Sequence, residues 1–488
     1  MSRTPDAPVP KLKRFEAERP SLRTITSAGA LLGWQCMFRN ALRLFSVALL
    51  AGCALYSDVS ISPLSIQPGA IDRGSDLPSM VRKADFVRAV SLANTIDSKA
   101  NRSAQELSAL GAAELAAGRF DAARKHLRAA LDLNPFRTNA ADIAWHLSQL
   151  EYLVNNYEAS LDWAHISGER GIVLKKWHLD FLEALAHVRV YRFSGAPIER
   201  MTMRIGRPDV PRVEVGVNGA KNITAIVDSG AVLSIISRKL ASEVPVRSLG
   251  IKGTFTGLLG EPISVEFGLI DSMQLGKMII ENVPVAIMAD EKMRFMVTKS
   301  EFKMDLLLGA NLLKEMRIEL DFRRRVVTFA QLTPADRNPA PDQNLFFDQF
   351  RPAVRGVINR KGWFLFILDT GSEVTFLNEA QYSNLPIQAL APKVHTATLQ
   401  GLGGTTKHGS KVENVDIGID RWAGSFRNIP MYDPGERERT SGIIGENYLK
   451  NFVVLIDFGR MRVDLVPILR VAQEVEEKAQ PGGRAMEP

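Results

Sequence analysis

Cysteine is scarce in this sequence, long apolar runs are missing, and each absence excludes a class of protein. Cysteine occurs twice among 488 residues, as Cys36 and Cys53. Two thiols exclude a disulfide scaffold and are too few for a cysteine-rich zinc site. No uninterrupted apolar run reaches the roughly 18–20 residues of a bilayer-spanning helix, so we do not expect a polytopic membrane protein. With 45% hydrophobic and 24% charged residues, the chain is expected to be globular, with roughly three domains.

Motifs that mark several common enzyme classes are missing too. The sequence has no GxGxxG, GKS or GKT pattern, so the GLGG string at 401–404 is not interpreted as a phosphate loop. It has no GxSxG nucleophile elbow and no HExxH metal motif. Five of the seven histidines fall in a segment with helical periodicity and are expected to be ordinary helix residues: His126, His146, His165, His178 and His187. The sequence therefore predicts neither a metal site nor a cofactor.

Basic residues outnumber acidic ones, but the excess is concentrated at the N-terminus. The formal net charge is +7, and residues 1–52 contain eight Lys and Arg against three Asp and Glu. The rest of the chain is therefore close to neutral, which is too little excess charge for a phosphate-binding face. We expect no nucleic-acid partner.

A short apolar run near the N-terminus is typical of a secretory signal. Two arginines precede the run at 44–50, which leads into Leu50-Ala51-Gly52-Cys53. This ending resembles the lipobox of bacterial lipoproteins, in which the cysteine is acylated, so Cys53 is the predicted lipidation site. The resemblance implies export to the bacterial periplasm and a lipid anchor, and Ala54 favours the outer membrane. The alternative is a short helix that happens to carry a cysteine.

A segment with helical periodicity follows, from about 81 to 193. Residues 110–135 resemble a tetratricopeptide repeat, and a weaker copy places Tyr157 37 residues after Phe120, near the repeat period of about 34. The resemblance implies stacked helix pairs that bury their apolar faces against each other. Their role is either to dock a protein partner or the substrate, or to act as a structural spacer, and both interpretations stay open.

After about residue 200 the pattern changes to short strands separated by glycine, and one design occurs twice. Asn218-Gly219, a typical hairpin dipeptide, lies between two alternating runs. The second run leads into Asp228-Ser229-Gly230-Ala231. Later, the apolar strand at 364–368 leads into Asp369-Thr370-Gly371-Ser372, and the two aspartates are 141 residues apart.

Two further markers recur in the same order. Asn282-Val283-Pro284 has its counterpart in Asn428-Ile429-Pro430, and the two prolines are 146 residues apart. Gly309, after two leucines, has its counterpart in Gly445, after two isoleucines, at a spacing of 136. Three markers in register indicate a duplicated β unit of roughly 130 residues by direct self-comparison.

An aspartate at this place in each copy has a chemical use. An apolar strand delivers each carboxylate to a position with little water, and glycine allows close backbone approach. If the two copies face each other, the two carboxylates hold one proton between them, because both cannot ionise cheaply. One then acts as general base on a water molecule while the other protonates a peptide carbonyl oxygen. Asp321 and Asp457, at two Asp-Phe strand ends, adjoin neither turn and are expected to be structural.

At these residues, over about 205–470, the chain resembles the two lobes of pepsin- and retropepsin-type aspartic proteases, and especially fused retropepsin units of bacterial proteins. The resemblance implies an all-β, two-lobed acid-protease fold. It makes Asp228 and Asp369 the catalytic dyad of an aspartic endopeptidase that hydrolyses an extended polypeptide. It also implies a set of residues that support the active-site loops: Ser229, Gly230, Thr370, Gly371, Ser372, Gly309 and Gly445.

Two glycine-rich stretches, 256–260 and 401–404, lie where the resemblance places the flaps that cover a substrate. The predicted flap residues are Gly257, Gly260, Gly401, Gly403 and Gly404. Neither stretch has the tyrosine of a pepsin flap. Ala231 matches the retroviral form of the loop and Ser372 the pepsin form, so we expect unequal environments for the two carboxylates.

The predicted protein is therefore multidomain, with an all-α tetratricopeptide-like domain before the two-lobed all-β fold. The predicted segments are a disordered leader (1–36), a lipoprotein signal (37–53), a tether (54–80), the helical domain (81–193), lobe 1 (200–332), a linker (333–345), lobe 2 (346–470) and a flexible tail (471–488). The expected partners are a polypeptide substrate and, through the lipid anchor, a membrane. The alternative function is a non-catalytic peptide-binding or scaffold lipoprotein that retains the protease fold. A lesser alternative keeps the enzyme but pairs lobes from two chains.

Overall fold

The computed structural model describes residues 46–47, 50–51, 59–64, 76–82, 84–96, 102–133, 139–206, 208–257, 260–297, 300–385, 387, 397–401, 406–432 and 439–468. The predicted leader and tail lie outside these residues, as does Cys53, the predicted lipidation site. Within them, no helix is both long and apolar enough to cross a membrane.

A helical segment comes first, and its helices turn back on each other in pairs. The helices are α1 (Leu77–Arg82), α2 (Phe86–Ile96), α3 (Ala104–Ala116), α4 (Phe120–Leu133), α5 (Ala140–Leu153), α6 (Tyr157–Glu169) and α7 (Lys176–Leu185). Ser103 caps α3, because its Oγ accepts from the Glu106 backbone at 3.2 Å while the Glu106 carboxylate accepts from Ser103 N at 2.9 Å. Gly118 and Asn155, after α3 and α5, take left-handed conformations with φ of 71° and 61°. Each helix can therefore reverse into an antiparallel partner.

Two boundaries differ from the predicted segments. The first helix begins at Leu77, before residue 81. Ser60–Pro63, within the predicted tether, form a strand that pairs with the edge of the second lobe at 422–425, because an unpaired strand edge offers free backbone groups. The tetratricopeptide-like nature of the helices stays a prediction.

Most of the described strands follow the helical segment, together with short helices. The strands are β1 (Ser46–Val47), β2 (Leu50–Ala51), β3 (Ser60–Pro63), β4 (Arg192–Gly195), β5 (Ile198–Thr202), β6 (Arg212–Val217), β7 (Ala220–Val227), β8 (Ser234–Ser237), β9 (Arg247–Gly257), β10 (Pro262–Leu275), β11 (Met278–Met288), β12 (Arg294–Val297), β13 (Ser300–Lys303), β14 (Leu306–Leu308), β15 (Met316–Asp321), β16 (Val326–Gln331), β17 (Leu345–Asp348), β18 (Arg351–Ile358), β19 (Lys361–Leu368), β20 (Phe376–Asn378), β21 (Ala397–Gly401), β22 (Thr406–Ile419), β23 (Trp422–Tyr432), β24 (Gly442–Ile444), β25 (Phe452–Asp457) and β26 (Arg462–Pro467). The short helices are α8 (Arg238–Glu243), α9 (Ala310–Leu313) and α10 (Glu446–Leu449).

The strands form two β-barrel lobes, an arrangement typical of pepsin-like folds. The sheet of lobe 1 runs β1-β9-β10-β6-β7-β14-β8-β11-β4, and β10 also pairs with β11. The sheet of lobe 2 runs β17-β18-β19-β24-β20-β23-β22-β21-β2, with β3 on β23 and a further pairing of β18 with β22. The expected two-lobed all-β fold is therefore confirmed.

The two lobes repeat the same strand pairings. In lobe 1, β7 lies parallel to β14, and in lobe 2, β19 lies parallel to β24. β14 also lies antiparallel to β8, the strand after β7, and β24 lies antiparallel to β20, the strand after β19. Each lobe therefore presents the end of one apolar strand beside a second buried strand.

A five-stranded sheet joins the lobes, in the order β26-β25-β15-β16-β5. Arg317 of β15 donates to the Asp457 carboxylate of β25 at 2.8 Å. Asp457 also accepts from Gly459 N at 3.0 Å, and Asp321 accepts from Arg324 N at 2.8 Å. Both aspartates thus stabilise turns of this sheet.

The helical segment packs against the beginning of lobe 2. The Phe120 and Phe347 rings lie 6.3 Å apart between centroids, and those of Tyr152 and Phe350 lie 4.7 Å apart. Phe86 lies 6.2 Å from Phe346 in the same way. The faces of the helices that meet these rings are therefore covered by the chain's own second lobe.

Candidate active site

Each candidate catalytic aspartate follows directly on a buried apolar strand. Residues 225–227 at the end of β7 are at most 2% exposed, and Asp228 and Asp369 are both 0% exposed. Asp228 N donates to Leu308 O, and Asp369 N donates to Ile444 O, both at 3.0 Å. The parallel strands β14 and β24 therefore fix the point at which each loop begins.

Two hydroxyl groups tie the loops to each other. Ser229 Oγ donates to Leu368 O at 2.7 Å, and Thr370 Oγ1 donates to Val227 O at 2.6 Å. In return, Ser229 N donates to Thr370 Oγ1 and Thr370 N donates to Ser229 Oγ, both at 3.1 Å. Each hydroxyl thus accepts from the other loop's amide and donates to the other lobe's strand, which holds the two loops in one fixed arrangement.

Gly230 and Gly371 lie where the backbone of one loop meets the carboxyl group of the other. A Cβ atom at Gly230 would overlap the Asp369 carboxyl group, and one at Gly371 would overlap that of Asp228. Only glycine therefore fits these two positions. The two carboxyl groups lie within hydrogen-bond reach of each other. The structure brings Asp228 and Asp369 together.

The carboxyl pair has the electrostatics of a site with a single proton. Asp228 Oδ1 accepts from Gly230 N at 2.9 Å and Ala231 N at 3.0 Å, and Asp369 Oδ1 accepts from Gly371 N at 2.9 Å. The Oδ2 atom of each is buried and receives no hydrogen bond from the other described groups. A proton held between the carboxyl groups would satisfy both atoms.

The pKa shifts agree with this arrangement. Burial raises the pKa of Asp228 to about 7. Burial, and then the nearby charge of Asp228, raises the pKa of Asp369 well above the ordinary value of an aspartate. Because the two groups titrate as a pair, these directions favour one shared proton that resides mainly on Asp369.

The other predicted loop residues lie behind the carboxyl groups. Gly309 N donates to Ser234 Oγ and Gly445 N donates to Thr375 Oγ1, both at 3.0 Å. Ser372 Oγ donates to Val374 O at 2.9 Å, so its hydroxyl is used within its own loop.

The predicted flap residues lie at the turns of two hairpins, as far as the structure describes them. In the β9–β10 hairpin, Gly257 N donates to Glu261 O at 2.7 Å and Gly260 N donates to Gly257 O at 2.9 Å. Gly401 ends β21 in the β21–β22 hairpin. Gly403 and Gly404 lie outside the described residues.

One stretch of backbone pairs with both hairpins. β1 lies parallel to β9, with Val47 opposite Gly257. β2, a few residues later, lies antiparallel to β21, with Leu50 opposite Gly401. The two hairpins therefore pair with the same stretch of chain, the β9–β10 hairpin in the parallel sense and the β21–β22 hairpin in the antiparallel sense.

Sequence reasoning assigned no role to Asn311 and Asn447. Asn311 Oδ1 accepts from Ser234 N at 2.7 Å, and Asn447 Oδ1 accepts from Thr375 N at 2.8 Å. Each amide thus fixes the start of the strand that follows an active-site loop. The signal was present, because both residues come two positions after the repeated glycines Gly309 and Gly445.

Glu446 was also missed. Its side chain is 0% exposed, and neither carboxyl oxygen has a hydrogen-bond partner among the described residues. Burial raises its pKa well above the ordinary value of a glutamate, although Lys450 opposes the shift. No pattern in the sequence marks this position. A glutamate is rarely buried without a partner, so sequence analysis would place this side chain at the surface.

Of the histidines in the helical segment, His178 is buried, and His146 is half-buried near Arg439. Burial lowers the pKa of His146 to about 4 and that of His178 to about 3, so both rings are neutral near pH 7. Over the part of the chain that the structure describes, no group of three or more His, Cys, Asp or Glu is arranged to hold a metal ion.

Comparison with known proteins agrees with this geometry in part. The family model for aspartyl proteases matches residues 213–312, which include Asp228 and Gly309. No curated protein sequence matches the chain. The match and the two-lobed fold together support aspartic protease activity.

Similar solved structures include three of low sequence identity. An aspartic proteinase from Irpex lacteus is 12% identical, with 55% of this chain and 97% of that chain covered and a TM-score of 0.32. A retropepsin-like aspartic protease from Rickettsia conorii is 17% identical, with 29% and 99% covered and a TM-score of 0.20. Basic 7S globulin from soybean is 11% identical, with 55% and 96% covered and a TM-score of 0.31. At these values the assignment of the fold rests on this chain's own strand pairings.

Proposed function

We propose that this protein is an aspartic endopeptidase in which Asp228 and Asp369 activate a water molecule. The observation that carries the proposal is the pair of fully buried carboxyl groups, supplied by duplicated loops and within hydrogen-bond reach of each other. Such a pair carries one proton, so it contains a general base and a general acid side by side.

The order of the pKa values gives each aspartate a role. The Asp228 carboxylate takes a proton from water while the water oxygen bonds to the peptide carbonyl carbon, and Asp369 gives its proton to the carbonyl oxygen. In the second step, Asp228 returns a proton to the leaving nitrogen, the carbon–nitrogen bond breaks, and a hydroxyl proton of the diol passes to Asp369. The dyad is then back in its initial state, and one water molecule has been consumed.

An extended polypeptide is the substrate class that the hairpins favour. Two strands that lie perpendicular to a twofold axis and are related by it run in opposite directions, so one extended chain between them pairs parallel with one and antiparallel with the other. The pairing of β1 with β9 and of β2 with β21 has these two senses. Main-chain pairing of this kind holds a peptide with little regard to its side chains. We infer that the hairpin strands that carry Gly257 and Gly401 hold the substrate.

Export and lipid anchoring at Cys53 complete the proposal and stay predictions. A protein partner of the helical segment would use a surface other than the one that faces Phe347 and Phe350, because lobe 2 covers that surface. Mass spectrometry of the mature N-terminus tests the anchor directly.

The proposal is tested by hydrolysis of a fluorescently labelled unfolded protein. Asp228→Asn and Asp369→Asn each remove one proton carrier without a change in side-chain shape. Each is expected to lower the rate of hydrolysis by a factor of about 10²–10⁴ or more. Asp321→Asn is the matched control, because Asp321 is buried but stabilises a turn of the joint sheet. It is expected to retain activity.

Full activity of either dyad variant with an intact circular dichroism spectrum would contradict the shared-proton mechanism. A wild-type protein that binds a statine-type inhibitor or a peptide but hydrolyses nothing would instead favour the non-catalytic peptide-binding alternative.

A further inference from the structure

The β9–β10 hairpin leaves the body of lobe 1 as a two-stranded ribbon. β10 pairs with β11 only from Val265 onward, so residues 254–255 and 263–264 pair with each other alone within this sheet, and β1 joins β9 only at Thr256 and Gly257. A two-stranded hairpin is marginal in stability without packing against another element. The orientation of Gly257 and Gly260, at the end of the ribbon, therefore depends on what holds its root.

The root of the ribbon is also a bend. The pairing of β9 and β10 shifts register between Glu266 and Gly268, where the partners change from Lys252 to Ser248. Such an irregularity bends the strand and increases its local twist. The bend, at 266–268, adjoins Val265, where the pairing of β10 with β11 ends.

Helix α7, from the helical segment, packs against this bend with two aromatic side chains. The Trp177 ring stacks on Phe267 of β10, with centroids 5.5 Å apart and planes at 21°. It also lies 6.3 Å from the ring of Phe255 of β9. Phe181, one turn along α7, lies 4.8 Å from Phe267. The helix therefore contacts both strands of the hairpin at its root.

The backbone of β9 leaves room for this contact at Gly253. A Cβ atom there would lie 2.8 Å from the Phe267 ring and 3.0 Å from the Trp177 ring. A side chain at this position would push the indole off the hairpin. The sequence thus provides both the aromatic ring on the helix and the space for it on the strand.

We propose that Trp177 is a positioning residue that holds the β9–β10 hairpin over the substrate, so that the helical segment takes part in substrate capture. The inference rests on the proposed peptidase function for its kinetic consequence. The contact itself is independent of that function. Trp177 acts through the hairpin on substrate binding and has no part in proton transfer.

This role predicts a specific kinetic signature for Trp177→Ala. A loosened hairpin weakens the grip on the substrate while the dyad is unchanged, so KM is expected to rise about three- to tenfold with kcat within about twofold. Trp177→Phe retains a stacked ring and is expected to restore most of the affinity. Trp163→Ala is the matched control, because Trp163 lies on α6 with Arg128 over its ring and is expected to leave KM unchanged.

Amide hydrogen exchange of the full-length chain provides a readout that does not depend on activity. In Trp177→Ala, faster exchange is expected for residues 254–255 and 263–264, with no change for β14 in the core of lobe 1. A hairpin that exchanges as in the wild type, or faster exchange throughout lobe 1, would overturn the proposal. So would a fall in kcat at constant KM. If the wild type hydrolyses no peptide, the proposed function fails, and the exchange measurement still decides whether Trp177 holds the hairpin.

Discussion

At the scale of single residues, the site is dominated by acidic groups that are buried away from water. Asp228, Asp369 and Glu446 are each 0% exposed, and burial is the first cause of a raised pKa in all three. A raised pKa in the folded state means that the folded protein binds a proton more tightly than the unfolded chain. Stability is then greatest below the ordinary pKa of the acid and declines as the pH rises through the folded value.

Glu446→Gln tests this linkage outside the dyad. At pH 4 the wild-type carboxyl group is protonated and resembles the amide, so the unfolding temperatures should differ little. At pH 8 the unfolded wild-type chain gains from ionisation of Glu446 and the variant does not, so the variant should unfold several degrees higher. Thermal unfolding at the two pH values measures this, and an equal difference at both would contradict the raised pKa.

At the scale of elements, an asparagine in each lobe fixes the strand that follows the active-site loop, but the asparagine of lobe 1 makes more hydrogen bonds than that of lobe 2. Asn311 accepts from Ser234 N and donates to Tyr191 Oη at 2.7 Å and to Pro284 O at 3.1 Å. Asn447 accepts from Thr375 N at the equivalent place. Asn311 thus contacts Tyr191, in the segment that follows the helices, as well as the strands of its own lobe.

Asn311→Leu should therefore cost more stability than Asn447→Leu. Each buried group left without a partner costs about 1–3 kcal/mol, and Asn311 serves several such groups. We expect a loss of about 3–5 kcal/mol for Asn311→Leu and of about 1–3 kcal/mol for Asn447→Leu. Urea denaturation with an unchanged m-value measures both. Equal losses would show that the extra bonds of Asn311 contribute nothing.

Elements with their own local signals were predictable from sequence. The turn dipeptide Asn218-Gly219 takes the left-handed conformations that it predicts, with φ of 46° and 88°, because turn chemistry is local. The recurrence of the aspartates and glycines predicted two equivalent lobes for a similar reason, since a repeated pattern specifies a repeated fold. The strand at Ser60–Pro63 had no such signal, because its pairing partner lies more than 350 residues away in the chain.

At the scale of the whole molecule, a buried polar cluster connects the helical segment to lobe 1. Lys314 Nζ donates to Asn155 Oδ1 at 2.7 Å and to the Glu315 carboxylate, and Asn155 Nδ2 donates to Glu315 Oε1 at 2.9 Å. Burial alone would raise the pKa of Glu315, but Lys314 and Arg337 outweigh it and lower the value. Because the folded pKa is lowered, this contribution is present above the ordinary pKa of a glutamate and is lost as the pH falls.

Glu315→Gln is expected to destabilise the protein by about 3–5 kcal/mol near pH 7, because it leaves the buried Lys314 without its counter-charge. Replacement of both residues, as Lys314→Met with Glu315→Gln, should recover most of the loss. Chemical denaturation of the single and double variants measures the coupling. A double variant no more stable than the single one would contradict this account of the cluster.

Contacts between domains were beyond the reach of the sequence. The stacking of Trp177 on Phe267 and the coverage of the helices by Phe347 and Phe350 depend on how separate segments dock. The repeat-like pattern of the helices gave no indication of which surface would face the lobes, because an apolar helix face looks the same whether it meets another helix or a sheet.

The pH dependence of kcat/KM for peptide hydrolysis is the sharpest test of a dyad that shares one proton. A dyad that shares one proton should give a bell-shaped profile, with the acidic limb above the ordinary aspartate value of about 3.9 because burial raises both pKa values. Asp369→Asn should abolish the activity across the whole range. A rate that stays constant through acid pH, or a profile that Asp369→Asn leaves unchanged, would contradict the account.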